Sequence, residues 1–307
     1  MAAGGSTKAI VAAFFANLGI AIAKLIGFFV TGSASMLAES IHSGADTTNQ
    51  ALLLLGGKRA VREASSTHQF GYGRERYFWS FVVALVLFSL GGLFAIYEGI
   101  DKIRHPHEIS SLNVAIIILV FGIFLEGGSL RTAYIESKRV KRADQSWWDF
   151  IRDARMPELP VVLLEDIGAM FGLFIALGAV ITASVTDNPV WDGWGTLIIG
   201  ILLFAIAIVL AKEMKSLLIG EGIIEPSQVA ALDVFEQHPD VVELKEIRSQ
   251  HMGPDTVLIG ANLTFRPELT QHEVAVAIDA IEDELRAKLP YQLMIYLEPD
   301  LHGSDGA

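Results

Sequence analysis

The chain has 307 residues, 52% of them hydrophobic, with a mean hydropathy of +0.45 and a formal net charge of −12. Apolar content at that level, gathered in blocks, excludes a single soluble domain, and the absence of cysteine excludes disulfides and thiolate metal centres. The charge is localised: residues 221–307 hold 17 acids against 5 Lys and Arg, whereas residues 1–220 hold 18 of each. A neutral membrane body over 1–215 is therefore separated from an acidic tail over 216–307, and neither half offers a basic surface for nucleic acid.

A membrane helix needs roughly 20 mostly apolar residues to cross a hydrocarbon core about 30 Å thick. Six stretches qualify, at about 9–30, 34–56, 78–100, 112–135, 160–184 and 193–214. The first carries Asn17 and Lys24 within it and is too long for a cleaved signal peptide. The loop over 57–77 holds Lys58, Arg59, Arg62, Arg74 and Arg76, and the loop over 136–159 holds Lys138, Arg139, Lys141, Arg142, Arg152 and Arg155. The opposite side has a tight turn at Thr31-Gly32, a loop with Lys102 and Arg104, and a loop with Asp187 and Asp192. The bias of positive charge towards the cytoplasm then places both basic loops and both termini there. The expectation is a multi-pass protein of the plasma membrane.

Beyond residue 220 the pattern is that of a small α+β domain. Pro226 opens a helix over about 227–237, which His238-Pro239 closes. Strands are predicted over 241–249 and 256–265, separated by Gly253-Pro254. A helix follows over about 270–288, with Thr270 and Glu273 spaced as a capping box, and a last strand over 292–298. The order αββαβ predicts a ferredoxin-like unit.

Charged groups at bilayer depth cost several kcal/mol, roughly 2.5–3.5 on insertion scales, so each requires a reason. The second span is the most polar, with Glu39, His42, Asp46, Asn49 and Gln50 within it. At about 100° per residue His42 and Asp46 share one face, an i,i+4 nitrogen and oxygen pair at the spacing of two metal ligands. The fifth span brings Glu165 and Asp166 near its basic-loop end. His42, Asp46 and Asp166, with Glu165 as a further candidate, could surround one cation. The competing reading is an interhelical hydrogen-bonded cluster without metal. Glu126 in the fourth span reads more readily as a packing carboxylate, and Lys24 as a snorkelling or paired lysine.

The run Gly32-Ser33-Ala34-Ser35-Met36-Leu37-Ala38-Glu39-Ser40-Ile41-His42-Ser43-Gly44-Ala45-Asp46, with His68-Gln69-Phe70-Gly71-Tyr72-Gly73-Arg74-Glu75-Arg76-Tyr77, resembles the cation diffusion facilitator (zinc transporter) family. Leu163-Leu164-Glu165-Asp166 resembles its zinc transporter 9 branch. The resemblance implies a homodimer that exports a divalent cation against protons by alternating access, zinc first, with Mn2+, Fe2+, Co2+ and Cd2+ open. The metal is cargo and no cofactor is implied. His42 and Asp46 match the family's first ligand pair and Asp166 the second ligand of the other. Val162 stands where the family has His or Asp, which leaves Glu165 or water for the fourth place. In the second cytoplasmic loop Ser65 and Tyr72, beside His68, depart from a further metal site. Lys245, Asn262 and Tyr296 depart from histidines of the tail, where only Glu298 keeps acidic character. His238, His251 and His272 are expected at the surface. Two alternatives remain at this stage: a transport-dead scaffold or partner subunit, and a membrane metalloenzyme that uses the same ligands to activate water.

Overall fold

The computed structural model describes residues 2–31, 34–106 and 112–300; the side chains of 2–6, 27–28, 30–31 and 34–42 lie outside that description. The chain divides into two compact units, Met1–Arg59 with Glu75–Lys215, and Ala60–Arg74 with Ser216–Ala307.

Long helices build the first unit: α1 Ala2–Thr31, α2 Ala34–Ala60, α3 Glu75–Arg104, α4 Leu112–Val140, α6 Glu158–Val185 and α7 Val190–Ile219. Five of these, among the described residues, are long and apolar enough to cross a membrane, counting α1 over Thr7–Ile26. The exception is α2, whose polar stretch from Glu39 to Gln50 dilutes its hydropathy. The short helix α5, Trp147–Asp153, lies in a stretch expected to be loop. It is too brief for hydrophobic periodicity, and its signal is its cap, where Ser146 Oγ accepts from the Asp149 backbone N–H at 3.0 Å.

Within α3, residues Leu87–Leu93 form a π-helical turn, and the Ser89 hydroxyl donates to the Leu85 carbonyl at 2.9 Å there. Beyond it α3 lies backbone-close against α7. A methyl added at Gly99 would sit 2.5 Å from the Leu197 nitrogen, and one at Gly200 would sit 2.6 Å from the Ile96 nitrogen. Glycine here is a condition of contact, as in other close-packed membrane helices. At the other end of α3, Trp79 Nε1 donates to Glu75 at 2.7 Å while Arg59 of α2 stacks over the Trp79 ring. The helix α4 packs against both α1 and α6. Large apolar side chains, among them Phe15, Phe124, Phe171 and Val185, point outward and stay exposed. That outward apolar coat is what a lipid-facing surface requires.

The second unit carries α8 Glu225–Gln237, β1 Val241–His251, β2 Thr256–Phe265, α9 Gln271–Lys288 and β3 Gln292–Asp300. The sheet order is β1-β2-β3, with β1 antiparallel and β3 parallel to β2. Alternate residues of β2, Val257, Ile259, Ala261, Leu263 and Phe265, enter a core with Phe235 of α8 and Ile281 and Leu285 of α9. The capping box at Thr270 and Glu273 forms as its spacing predicts. Its hydrogen bonds from the Thr270 backbone N–H and hydroxyl hold the Glu273 carboxyl below the ordinary glutamate range. Also in this unit, the loop over 60–74 folds back on itself, with Ser65 Oγ 3.1 Å from Tyr72 OH and the His68 ring 4.5 Å from that of Tyr72.

A buried carboxylate and amide seam as the candidate cation site

The polar residues of α1 and α2 recur at seven-residue spacing, two helical turns, and so return to one face. Lys24 Nζ donates to Ser43 Oγ at 3.0 Å, and Asn17 Nδ2 donates to Gln50 Oε1 at 3.4 Å. Asp46 lies on α2 between these two layers. It is half-buried and within electrostatic range of Glu126, Glu165 and Asp166. The backbone of His42 continues α2, while its side chain lies outside the described residues.

Glu165 and Asp166 are adjacent on α6 and point about 100° apart, so they meet different neighbours. Glu165 reaches α2: its Oε1 accepts from Asn49 Nδ2 at 3.1 Å and its Oε2 from Gln50 Nε2 at 2.7 Å. Asp166 turns to α4, where Ser129 Oγ donates to its Oδ2 at 2.8 Å. Both carboxylates are buried, as are Asn49, Gln50, Ser129 and Glu126. Of the residues singled out from sequence, Glu165 thus ties α6 to α2 and Asp166 ties α6 to α4, with Asp46 within electrostatic range of both. Among the described residues no three His, Asp or Glu side chains stand close enough together to hold a metal ion. Val162, one turn before Asp166, is fully buried and apolar, so α6 supplies no second ligand at that spacing.

Ser129 has no part in the sequence expectations, and Glu126 enters them only as a packing carboxylate. Their signal was helical spacing: Glu126 and Ser129 are three apart on the buried stripe of α4 that begins at Gly122.

Departures from a metal site recur in the second unit. Lys245 of β1 is ion-paired with Asp300 of β3, and Asn262 lies between Glu246 and Glu298 in the strand register. Tyr296 is exposed. His251, expected at the surface, is instead fully buried, with its ring edge-on to Tyr291 at 5.3 Å and Nδ1 3.3 Å from the Gly253 carbonyl oxygen. It closes β1, where the chain turns back to β2.

Apolar helices that enclose acids and amides in their interior define a polytopic membrane protein. Residues 10–219 match the family model described as the cation efflux transmembrane domain, and the chain belongs to that family, one of transporters and not of enzymes. It is 36% identical over 244 residues to the protein named proton-coupled zinc antiporter SLC30A9, mitochondrial, of Xenopus laevis, covering 79% of this chain and 44% of that one. Identity to the human protein of the same name is 34% over 244 residues, or 79% of this chain and 43% of the other. The branch resemblance read from Leu163-Leu164-Glu165-Asp166 is therefore correct. The chain spans less than half the length of these relatives. Similarity to the cadmium, cobalt and zinc/H(+)-K(+) antiporter of Bacillus velezensis is 26% identity over 320 residues, 99% of this chain and 92% of that one.

The names of the first two relatives place them in mitochondria, which overturns the expected plasma membrane with cytoplasmic termini. Loop charge reports which ends of the helices share a side of a bilayer. It carries no information about which bilayer, because organelle addresses are read by receptors from separate signals.

Proposed function

We propose that the protein moves a divalent metal cation, zinc first, across a mitochondrial membrane in exchange for protons. The observation that carries this is the burial of Glu165 and Asp166, with the half-buried Asp46 within electrostatic range of both, among helices whose outer surface is apolar. Carboxylates in such an interior repel one another, and a divalent cation is the species that relieves the repulsion while using their lone pairs. His42, Asp46 and Asp166 are the proposed ligands. Glu165, named beside them from sequence, spends both oxygens on the amides of α2 and is assigned to the closure of α2 on α6.

Proton coupling follows from ligand chemistry. A metal takes neutral imidazole and ionised carboxylates, so each arriving ion displaces protons and each protonation weakens its hold. The relatives' names, a proton-coupled zinc antiporter and a cadmium, cobalt and zinc antiporter, support zinc with tolerance for Co2+ and Cd2+, while Mn2+ and Fe2+ stay open on ligand chemistry alone. We assign α2 as a sixth span, its polar face turned inward, over residues 1–215. The tail over 216–307 is assigned as a ferredoxin-like regulatory and dimerisation domain.

The test is uptake by the purified full chain in sealed proteoliposomes with an imposed pH gradient. Accumulation of zinc with matching proton movement out of the vesicles supports antiport. No accumulation above protein-free vesicles would leave the scaffold reading in its place.

A further inference from the structure

We propose that the Lys24 ammonium of α1 is a resident counter-cation of the polar seam, competing with the transported metal for the carboxylate of Asp46. This rests on the reading of Asp46 as a cation ligand. Lys24 is 7% exposed and is the one Lys or Arg among the buried described residues. A lysine removed from water at bilayer depth requires a negative charge to compensate it, and the seam's carboxylates require a positive one equally.

The register of α1 and α2 places Asp46 next to this lysine. Lys24 bonds Ser43 at 3.0 Å and Asn17 bonds Gln50 at 3.4 Å, so the two helices run antiparallel in step. Asp46 then stands level with Ala21 of α1, three residues beyond Ser43 and about 4.5 Å further along the axis. The flexible four-carbon stem of lysine is long enough to carry the ammonium over that distance. Glu126 of α4 lies within electrostatic range of both Lys24 and Asp46, so ammonium and carboxylate act on one region of the seam. An ammonium has three donors, and its bond to Ser43 is compatible with a simultaneous hold on a carboxylate.

A divalent cation and an ammonium call on the same lone pairs. An arriving metal draws Asp46 away and repels the ammonium, and the Ser43 hydroxyl gives Lys24 an acceptor one turn off. When the metal leaves, the ammonium compensates Asp46, so no bare carboxylate is carried through the unloaded return. Lys24 thereby limits metal affinity and speeds turnover. Arginine would compete more strongly, because its planar fork grips a carboxylate with two donors.

The experiment measures zinc binding to the full chain in lipid nanodiscs and maximal zinc uptake into proteoliposomes. Lys24→Met, Lys24→Arg, Ser43→Ala and Asp46→Asn are compared with the wild type. Lys24→Met is expected to bind zinc about tenfold tighter and to turn over about fivefold slower, within the usual range of a coupling free energy. Lys24→Arg and Ser43→Ala should both bind zinc more weakly than the wild type, one by a stronger competitor and the other by loss of the hydroxyl that draws it off. A lysine that only packs the helices would give the opposite sign in Lys24→Met, with affinity and rate falling together. That result, with zinc bound by the wild type and lost in Asp46→Asn, would overturn the role of Lys24 alone. Should Lys24→Met not fold, wild-type affinity in both Lys24→Arg and Ser43→Ala would overturn it as well. Wild-type protein that binds no zinc would overturn the cation site itself.

Discussion

The helical unit keeps its polar chemistry inside and its large apolar side chains outside, whereas the tail unit does the reverse. Asn17, Lys24, Asn49, Gln50, Glu126, Glu165 and Asp166 are all buried in the first, while Phe15, Phe124 and Phe171 are exposed. In the second, Phe235, Ile259, Leu263, Ile281 and Leu285 fill the core, and ion pairs such as Arg266 with Asp240 and Arg286 with Glu282 decorate the surface. Lipid imposes no penalty on an apolar exterior, so the interior of a bundle is free to be polar where each group finds a partner. Exposed pairs in the tail contribute about 0–1 kcal/mol each, so they have little to do with its stability. What this teaches is that position, not residue type, separates the informative acids from the solvating ones.

The largest effects are expected where an interior carboxylate is removed. Asp166→Ala and Asp46→Asn should each abolish zinc uptake in proteoliposomes while expression and assembly persist. Normal uptake by either would mean that the polar seam is only a packing device. A smaller effect is expected at Glu165. Glu165→Ala strands the amide donors of Asn49 and Gln50, a loss of about 1–3 kcal/mol in stability. Residual transport with an altered pH dependence should remain. A variant as stable as wild type yet wholly inactive would return Glu165 to the ligand set and shift the α6 register by one residue.

The smallest effect belongs to the tail. The Glu273 carboxyl is held below its usual range, first by the Thr270 backbone N–H, so the stability it contributes is present above the unfolded value. That contribution is lost as pH falls through the folded value. Glu273→Gln should therefore lower the thermal midpoint of the tail transition slightly at pH 7. The difference should close in acid, once pH has fallen below the folded value. A gap unchanged in acid would show that the cap acts through geometry alone.

Much of this contrast was legible in the sequence. Apolar block length located the long helices, because crossing a bilayer requires it, and the turn residues with the Thr270 and Glu273 spacing located the tail elements. The placement of Glu165 and Asp166 on different faces followed from their adjacency. Which neighbour each one meets did not, since that depends on how α4 and α6 pack: Asp166 found Ser129, and Glu165 found Asn49 and Gln50. The π-turn over Leu87–Leu93 and the burial of His251 were equally hidden, being consequences of tertiary contact.

Zinc titration of the full chain, wild type against the Asp46→Asn/Asp166→Ala double variant, tests most directly whether metal chemistry resides in the helical unit. Lys245 paired with Asp300, Asn262 and the exposed Tyr296 leave no histidine set in the tail strands. The account predicts tight binding in the wild type and none in the double variant, with the tail still folded. A stoichiometric, submicromolar zinc site that survives both substitutions would contradict it and move the metal out of the membrane seam.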